Sequence, residues 1–232
     1  MTLPVAILAG GMATRLMPLT EKIPKALIDI NGEPFIAHQL RLLKSSGIDN
    51  VVICAGYLGE MIRDFVKDGG LFGIRIEYSF DGNRLLGTGG AIKKALDLLG
   101  QKFFVLYGDS YLPCNYEAVE TAFEVGGKKG LMTVFRNEGA WDTSNVAFEG
   151  GQILKYDKQV TSHRMRHIDY GLGAFRREAF EFVPDDTAHD LALLYQFLLG
   201  KGELAAGEVH ERFYEIGSVE GLEELKGYLA HG

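Results

Sequence analysis

The 232-residue chain reads as an α/β fold with a mainly parallel central sheet and helices on both faces. Three observations predict it. Apolar runs that read as buried strands recur through the first half: Leu3 to Ala9, Val51 to Cys54 and Phe103 to Tyr107. Segments with apolar residues at helical spacing separate them. Glycines punctuate the strand ends, at Gly10-Gly11 and again at Gly108. Strands alternating with helices form parallel sheets, and such sheets bind ligands beyond the carboxyl ends of their strands.

The first strand runs straight into Gly10 and Gly11, where the backbone can turn sharply and a ligand can approach the main chain. Thr14 and Arg15 follow, with Lys25 ten residues beyond. A strand end, a glycine loop and two spaced cations suit an oligophosphate. Ala26 to Ile30 reads as a short strand, and Asn31 to Pro34 as a turn that starts a helix. Phe35, Ile36, Leu40 and Leu43 form that helix's apolar face, and Gly47 caps it. After the Val51 strand, Tyr57 to Lys67 reads as a helix closed by Gly69-Gly70. Ile74, Ile76 and Tyr78 alternate with polar residues as a half-exposed strand.

Leu86 to Ala91 is a second glycine-rich stretch ahead of a helix, suited either to a ligand or to a tight turn. Asp109, at the end of the Phe103 strand, reads as a turn aspartate or as a ligand for a hard dication. Beyond residue 110 the pattern changes. Tyr116 to Val125 is a helix candidate. Leu131 to Phe135, Val146 to Phe148 and Ile153 to Tyr156 are short strands, with a hairpin turn at Gly150-Gly151. They look antiparallel and are expected to form a small lobe over the open side of the site. Trp141 and Asp142 fall in the connection before them, where a lone Trp is usually packing. His163 and His167 stand four apart in a segment without a helical face, which argues against a metal pair. His189 to Leu199 is an apolar helix. Ser218 caps a last one carrying Leu222, Leu225 and Leu229.

Hydrophobic content of 47% and charged content of 24% fit a globular protein, and a net charge of −7 argues against broad nucleic-acid binding. Cys54 and Cys114 have no disulfide or metal spacing. No apolar run reaches transmembrane length and no secretory signal is evident, so no membrane association and a cytoplasmic location are expected.

Neither a P-loop nor a dinucleotide fingerprint is present. The run Gly10-Gly11-x-x-Thr14-Arg15-Leu16-x-Pro18-Leu19-Thr20, ending in Pro24-Lys25, resembles instead the signature of the sugar-1-phosphate nucleotidyltransferases. The resemblance extends to about Gly221. It implies a Rossmann-like single domain over residues 1–232, with a nucleotide-binding half to about residue 125 and a sugar-phosphate-binding half from about 126. The partners it implies are a nucleoside triphosphate and a sugar 1-phosphate, with Mg2+ as cofactor and room for a homo-oligomer.

Carried over residue by residue, Arg15 and Lys25 are catalytic. Leu8, Ala9, Gly10, Gly11, Thr14, Asp81, Gly87 and Thr88 hold the nucleotide. Lys158, in a Lys155-Tyr156-Asp157-Lys158 element, holds the sugar phosphate, and Gly171 lines the sugar pocket. Asp109 and Glu215 hold the metal, Glu215 standing where the family has aspartate. The Leu-Gly-Thr-Gly-Gly-Ala-Ile run from Leu86 looks like that of heptose and mannose 1-phosphate guanylyltransferases. With Asp81 nearby, this favours GTP over uridylyl, thymidylyl or cytidylyl transfer. A non-catalytic nucleotide-sugar sensor is the rival from another class.

Overall fold

The computed structural model describes residues 2–11, 16, 20–160 and 162–231. Its elements follow the alternation read from the sequence: β1 (Val5–Ala9), β2 (Asp29–Ile30), β3 (Glu33–Pro34), α1 (Phe35–Ser45), β4 (Asn50–Ala55), α2 (Gly59–Val66), β5 (Arg75–Phe80), α3 (Gly87–Leu99), β6 (Lys102–Tyr107), β7 (Ser110–Tyr111) and α4 (Tyr116–Gly126). The second half holds β8 (Gly130–Arg136), β9 (Val146–Glu149), β10 (Gln152–Tyr156), β11 (His167–Arg176), α5 (Leu191–Gly200), β12 (Leu204–Val209), β13 (Tyr214–Glu215) and α6 (Val219–His231).

Nine of the strands make one sheet. Along its main path the order is β10-β9-β11-β6-β1-β4-β5, with β8 pairing β11 and β12. β1 is flanked by β4 and β6, both parallel to it. The chain leaves β1 through α1 to β4 and through α2 to β5. It then returns through α3 to β6 on the other side of β1. This is the reversal of winding at which doubly wound sheets open a ligand crevice.

The inner strands β1, β4 and β6 are almost wholly apolar because both faces are covered. In β1, Val5 and Ile7 join the core on the face of Ile36, Leu40, Ile62 and Phe123, while Ala6 joins that of Ile92, Leu96 and Leu194. β4 divides in the same way, Val51 and Ile53 against Val52 and Cys54. A third, smaller cluster of Ile30, Phe35, Ile216, Leu222 and Leu225 anchors α6 beside the start of α1.

Two expectations are refined. Ala26 to Ile30 is not one strand: a 3-10 turn over Lys25–Leu27 comes first, and only Asp29–Ile30 forms a strand. The antiparallel strands do not stand apart as a separate sheet. β11 pairs antiparallel with β6 over five residues, so β8 to β11 continue the central sheet. No helix among the described residues is long and apolar enough to cross a membrane.

Candidate active site

Three glycines form the floor where β1, β4 and β6 end. Gly108 N donates to Leu8 O at 3.0 Å, and Tyr57 N to Gly10 O at 3.3 Å. A Cβ at Gly108 would stand 2.6 Å from Leu8 O, and one at Gly56 would stand 2.7 Å from Gly10 O. Only glycine lets these loops approach so closely. The recess above this floor is lined by Leu8, Ala9, Gly10, Gly11, Asp81, Gly87 and Thr88, together with Lys25, Cys54, Tyr107 and Asp109. Thus the residues expected on the nucleotide side come together, apart from Thr14. Thr14 and Arg15 lie outside the described residues.

Asp81 is buried at the wall of this recess, and Leu86 N donates to its Oδ2 at 3.1 Å. Burial pushes its carboxyl above the usual carboxylate range, against the Leu86 amide and the Lys94 ammonium. The glycine stretch opening α3 divides its labour. Gly87 and Thr88 face the recess, but Gly89 N and Gly90 N both donate to His189 O, at 2.8 and 3.2 Å. Two of the helix's unpaired N-terminal amides are thereby satisfied by protein rather than by an anion. The Thr88 hydroxyl donates to Asp190 Oδ1 and accepts from Leu191 N, locking α3 to α5.

Lys25 Nζ donates to Asp109 Oδ2 at 2.9 Å. Asp109 and Tyr107 also line a second recess of about 470 Å³, with Ser110, Asn145, Lys158, Asp169, Gly171 and Glu215. The two recesses therefore meet at the end of β6. Lys158 Nζ stands 3.4 Å from the Tyr107 hydroxyl and 5.2 Å from its ring centre. Burial holds the Tyr107 phenol well above its usual value, with the Asp169, Asp190 and Asp109 carboxylates adding to the effect.

An irregularity in β11, between Asp169 and Gly173, interrupts its pairing with β8 beside this recess. Gly171 there has φ +98°, a conformation that favours glycine. Asp169 accepts from Gly171 N and from the Tyr156 hydroxyl. Its carboxyl is raised by burial, against the pull of Lys158.

Glu215 comes from the other end of the chain. β13 pairs antiparallel with β7, which sets Glu215 opposite Ser110, and Ile216 N donates to Asp109 O at 2.9 Å. Both carboxylates expected to hold the metal thus line the same recess. Among the described residues no group of three or more His, Cys, Asp or Glu could hold a metal ion. Two carboxylates nevertheless fit magnesium, which takes one or two from protein and its other oxygens from phosphate and water. His167 sits on β11 with Nε2 3.2 Å from Glu208 Oε1.

Sequence reasoning gave no role to Tyr107, Asn145 or Asp169, nor to the contact of Trp141. Arg212 packs its guanidinium 3.4 Å from the Trp141 ring centre and 4.7 Å from that of Tyr214. No local pattern in the sequence points to these roles, because the irregularity that places Asp169 is one of strand pairing.

The chain is 29% identical over 204 residues to a UTP–glucose-1-phosphate uridylyltransferase from a Synechocystis strain, covering 80% of this chain and 52% of that protein. It is 41% identical over 105 residues to a D-glycero-alpha-D-manno-heptose 1-phosphate guanylyltransferase from Campylobacter jejuni, covering 45% of this chain and 47% of that one. The aligned segments span about half the length of these relatives. The crystal structure of HddC from Yersinia pseudotuberculosis complexed with GMP-PN superposes with a TM-score of 0.81 at 24% identity, covering 99% of this chain and 100% of that one, which shows a shared fold. The family model described as nucleotidyl transferase matches residues 5–144, more than half of the sequence and the segment that holds every residue lining the first recess. The chain belongs to the nucleotidyl transferase family.

Proposed function

We propose that the protein transfers a nucleotidyl group from a nucleoside triphosphate to a sugar 1-phosphate, releasing pyrophosphate. The observation that carries this reading is the meeting of two recesses at Tyr107 and Asp109, with Lys25 beside the junction. One recess has the glycine floor and apolar walls that suit a nucleoside. The other has the cation and hydrogen-bonding groups that suit a sugar phosphate.

The attacking group is a phosphate oxygen, already anionic at neutral pH, so no general base is required. The obstacle is the approach of two anions, and catalysis is positioning plus electrostatic stabilisation. In this reading Lys25 holds the α-phosphate and Lys158 the attacking phosphate, while Gly171 leaves room for the sugar. Arg15 keeps the pyrophosphate-holding role that its place in the signature implies. Nucleotidyl transferases of this family generally use divalent metal ions, and here Asp109 and Glu215 would hold magnesium. When bound, the ion supplies positive charge against the phosphate oxygens.

For the base, Asp81 supports GTP. A carboxylate at the wall of the nucleoside recess can accept from guanine N1–H and N2–H₂. The guanylyl-transferring relative and the HddC complex with a guanine nucleotide support the same choice, while the uridylyl-transferring relative supports UTP. The two buried free cysteines accord with a reducing, cytoplasmic compartment. The test is a matrix of five nucleoside triphosphates against a panel of sugar 1-phosphates, scored by pyrophosphate release. Turnover with at least one pair is expected. Binding of nucleotide sugars without pyrophosphate release across the matrix would favour a sensor.

A further inference from the structure

The sugar-phosphate recess does not end at its own wall. Asp142 and Thr143, on the loop between β8 and β9, line it on one side and line a further recess of about 860 Å³ on the other. This outer recess also takes in Trp141, Ser162, His163 and Arg166.

Its wall is built rather than incidental. Asn137 is buried and holds the loop from inside: its Nδ2 donates to Asp142 O and Ser144 Oγ, and its Oδ1 accepts from Trp141 N. The Asn137 and Glu138 amides both donate to Arg166 O, tying the loop to the opposite wall. Arg212, which also pairs with Glu224 on α6, packs on the Trp141 ring. Such a wall is ordered before a ligand arrives, which lowers the cost of binding.

The chemistry on offer is that of a polar organic group. Trp141 provides an aromatic surface. Asp142 accepts from hydroxyls. The guanidinium of Arg166, with Ser162 and His163, donates to an acceptor. Arg166 is exposed in the lining of this recess, and no hydrogen bond or ion pair of its guanidinium is found among the described residues.

We infer that the outer recess receives a branch of the sugar, so that the preferred substrate is a sugar 1-phosphate carrying a hydrogen-bond-accepting substituent, acyl, carboxylate or hydroxyalkyl, that reaches past Thr143 to Arg166. The inference rests on the sugar-phosphate reading of the inner recess. A hexose 1-phosphate that ends in the inner recess leaves Arg166 facing water. A branched one engages it, and a group that hydrogen-bonds a guanidinium discriminates by about tenfold or more.

The experiment compares kcat/KM for glucose 1-phosphate with N-acetylglucosamine 1-phosphate and glucuronic acid 1-phosphate, and for mannose 1-phosphate with its manno-heptose homologue. Each is measured with the best triphosphate, in the parent enzyme and in Arg166→Ala. The expected result is a preference of about tenfold or more for a branched member over its unbranched parent. Arg166→Ala erases that preference while the unbranched rate holds, because Arg166 lines only the outer recess. The acyl, carboxylate and hydroxyalkyl arms identify the branch. A best rate with unbranched sugars, or a preference that survives Arg166→Ala, overturns the inference and leaves the transfer reaction standing. A panel with no turnover at any triphosphate overturns both.

Discussion

Lys25 Nζ and Asp109 Oδ2 stand 2.9 Å apart although 84 residues of sequence separate them. The pair joins the turn after the glycine loop to the end of β6, at the junction of the two recesses. Its side chains keep 20% and 35% of their exposure, so the pair contributes about 1 kcal/mol or less to stability. In the proposed reaction its weight lies in chemistry. Lys25→Ala should fold and melt nearly as the parent does, yet lose turnover by about 10² or more, because a charge aimed at the reacting phosphate acts mainly in the transition state. Steady-state pyrophosphate release beside a thermal melt checks both halves. Near-parental turnover in a folded variant would remove Lys25 from the reaction.

Glu215 offers a second separation of roles. As a metal ligand, its replacement in Glu215→Gln should raise the magnesium concentration needed for half-maximal rate and depress turnover, with stability nearly unchanged. As a mere charge near the start of α6, it should cost about 0.3–1 kcal/mol and leave the magnesium dependence alone. A magnesium titration that overlays the parent's would end the ligand reading.

Asp81 carries a pH signature. Burial raises its folded pKa, so the folded state holds a proton that the unfolded chain releases. Folding therefore becomes costlier as pH rises from the ordinary carboxylate range through the raised value, and the cost is complete above it. Asp81→Asn removes that charge. Its melting temperature should exceed the parent's at neutral pH, and the gap should close below roughly pH 4. The same variant should lose most of any preference for GTP, and a strong preference for UTP, CTP or dTTP retained in Asp81→Ala would dismiss the guanine contact.

Tyr57 grips both ends of the signature loop. Its amide donates to Gly10 O and its hydroxyl to Glu21 O at 3.1 Å. Tyr57→Phe keeps the first bond and deletes the second. The loss in stability should stay near 1 kcal/mol. The KM for the triphosphate should rise severalfold with a smaller change in kcat, since the hydroxyl positions the loop and does not meet the reacting atoms. Unchanged kinetics would show that the Glu21 contact does not position the loop.

The sequence was most informative where apolar runs and glycines punctuate it. The segment from β1 to β6 could be read because buried parallel strands are apolar on both faces and their helices keep the 3.6-residue period. The glycine loop and Asp109 could be placed because they sit at strand ends, and Asp81 through its resemblance to an acidic position of guanylyl-transferring relatives. β12 gave no such signal: Ala205, Ala206 and Gly207 are small residues of low strand propensity, and only pairing with β8 makes them extended. The docking of Gly89 and Gly90 on His189, and of Trp141 on Arg212, joins residues about 70 to 100 positions apart. Such contacts follow from tertiary packing, and nothing in local patterning announces them. The irregularity in β11 that brings Asp169 and Gly171 to one recess is likewise a property of the assembled sheet.

The five-residue antiparallel pairing of β11 with β6 bears on how this fold can be re-engineered. A chimaera that takes the nucleotide-side strands from one enzyme and the sugar-side strands from another would cut no linker. It would split a sheet, and Phe103, Phe104, Val105 and Leu106 would have to meet a foreign β11 in register and in shape. Acceptor choice is therefore better altered by grafting the loop between β8 and β9, which pairs with no strand of the sheet, than by exchanging halves.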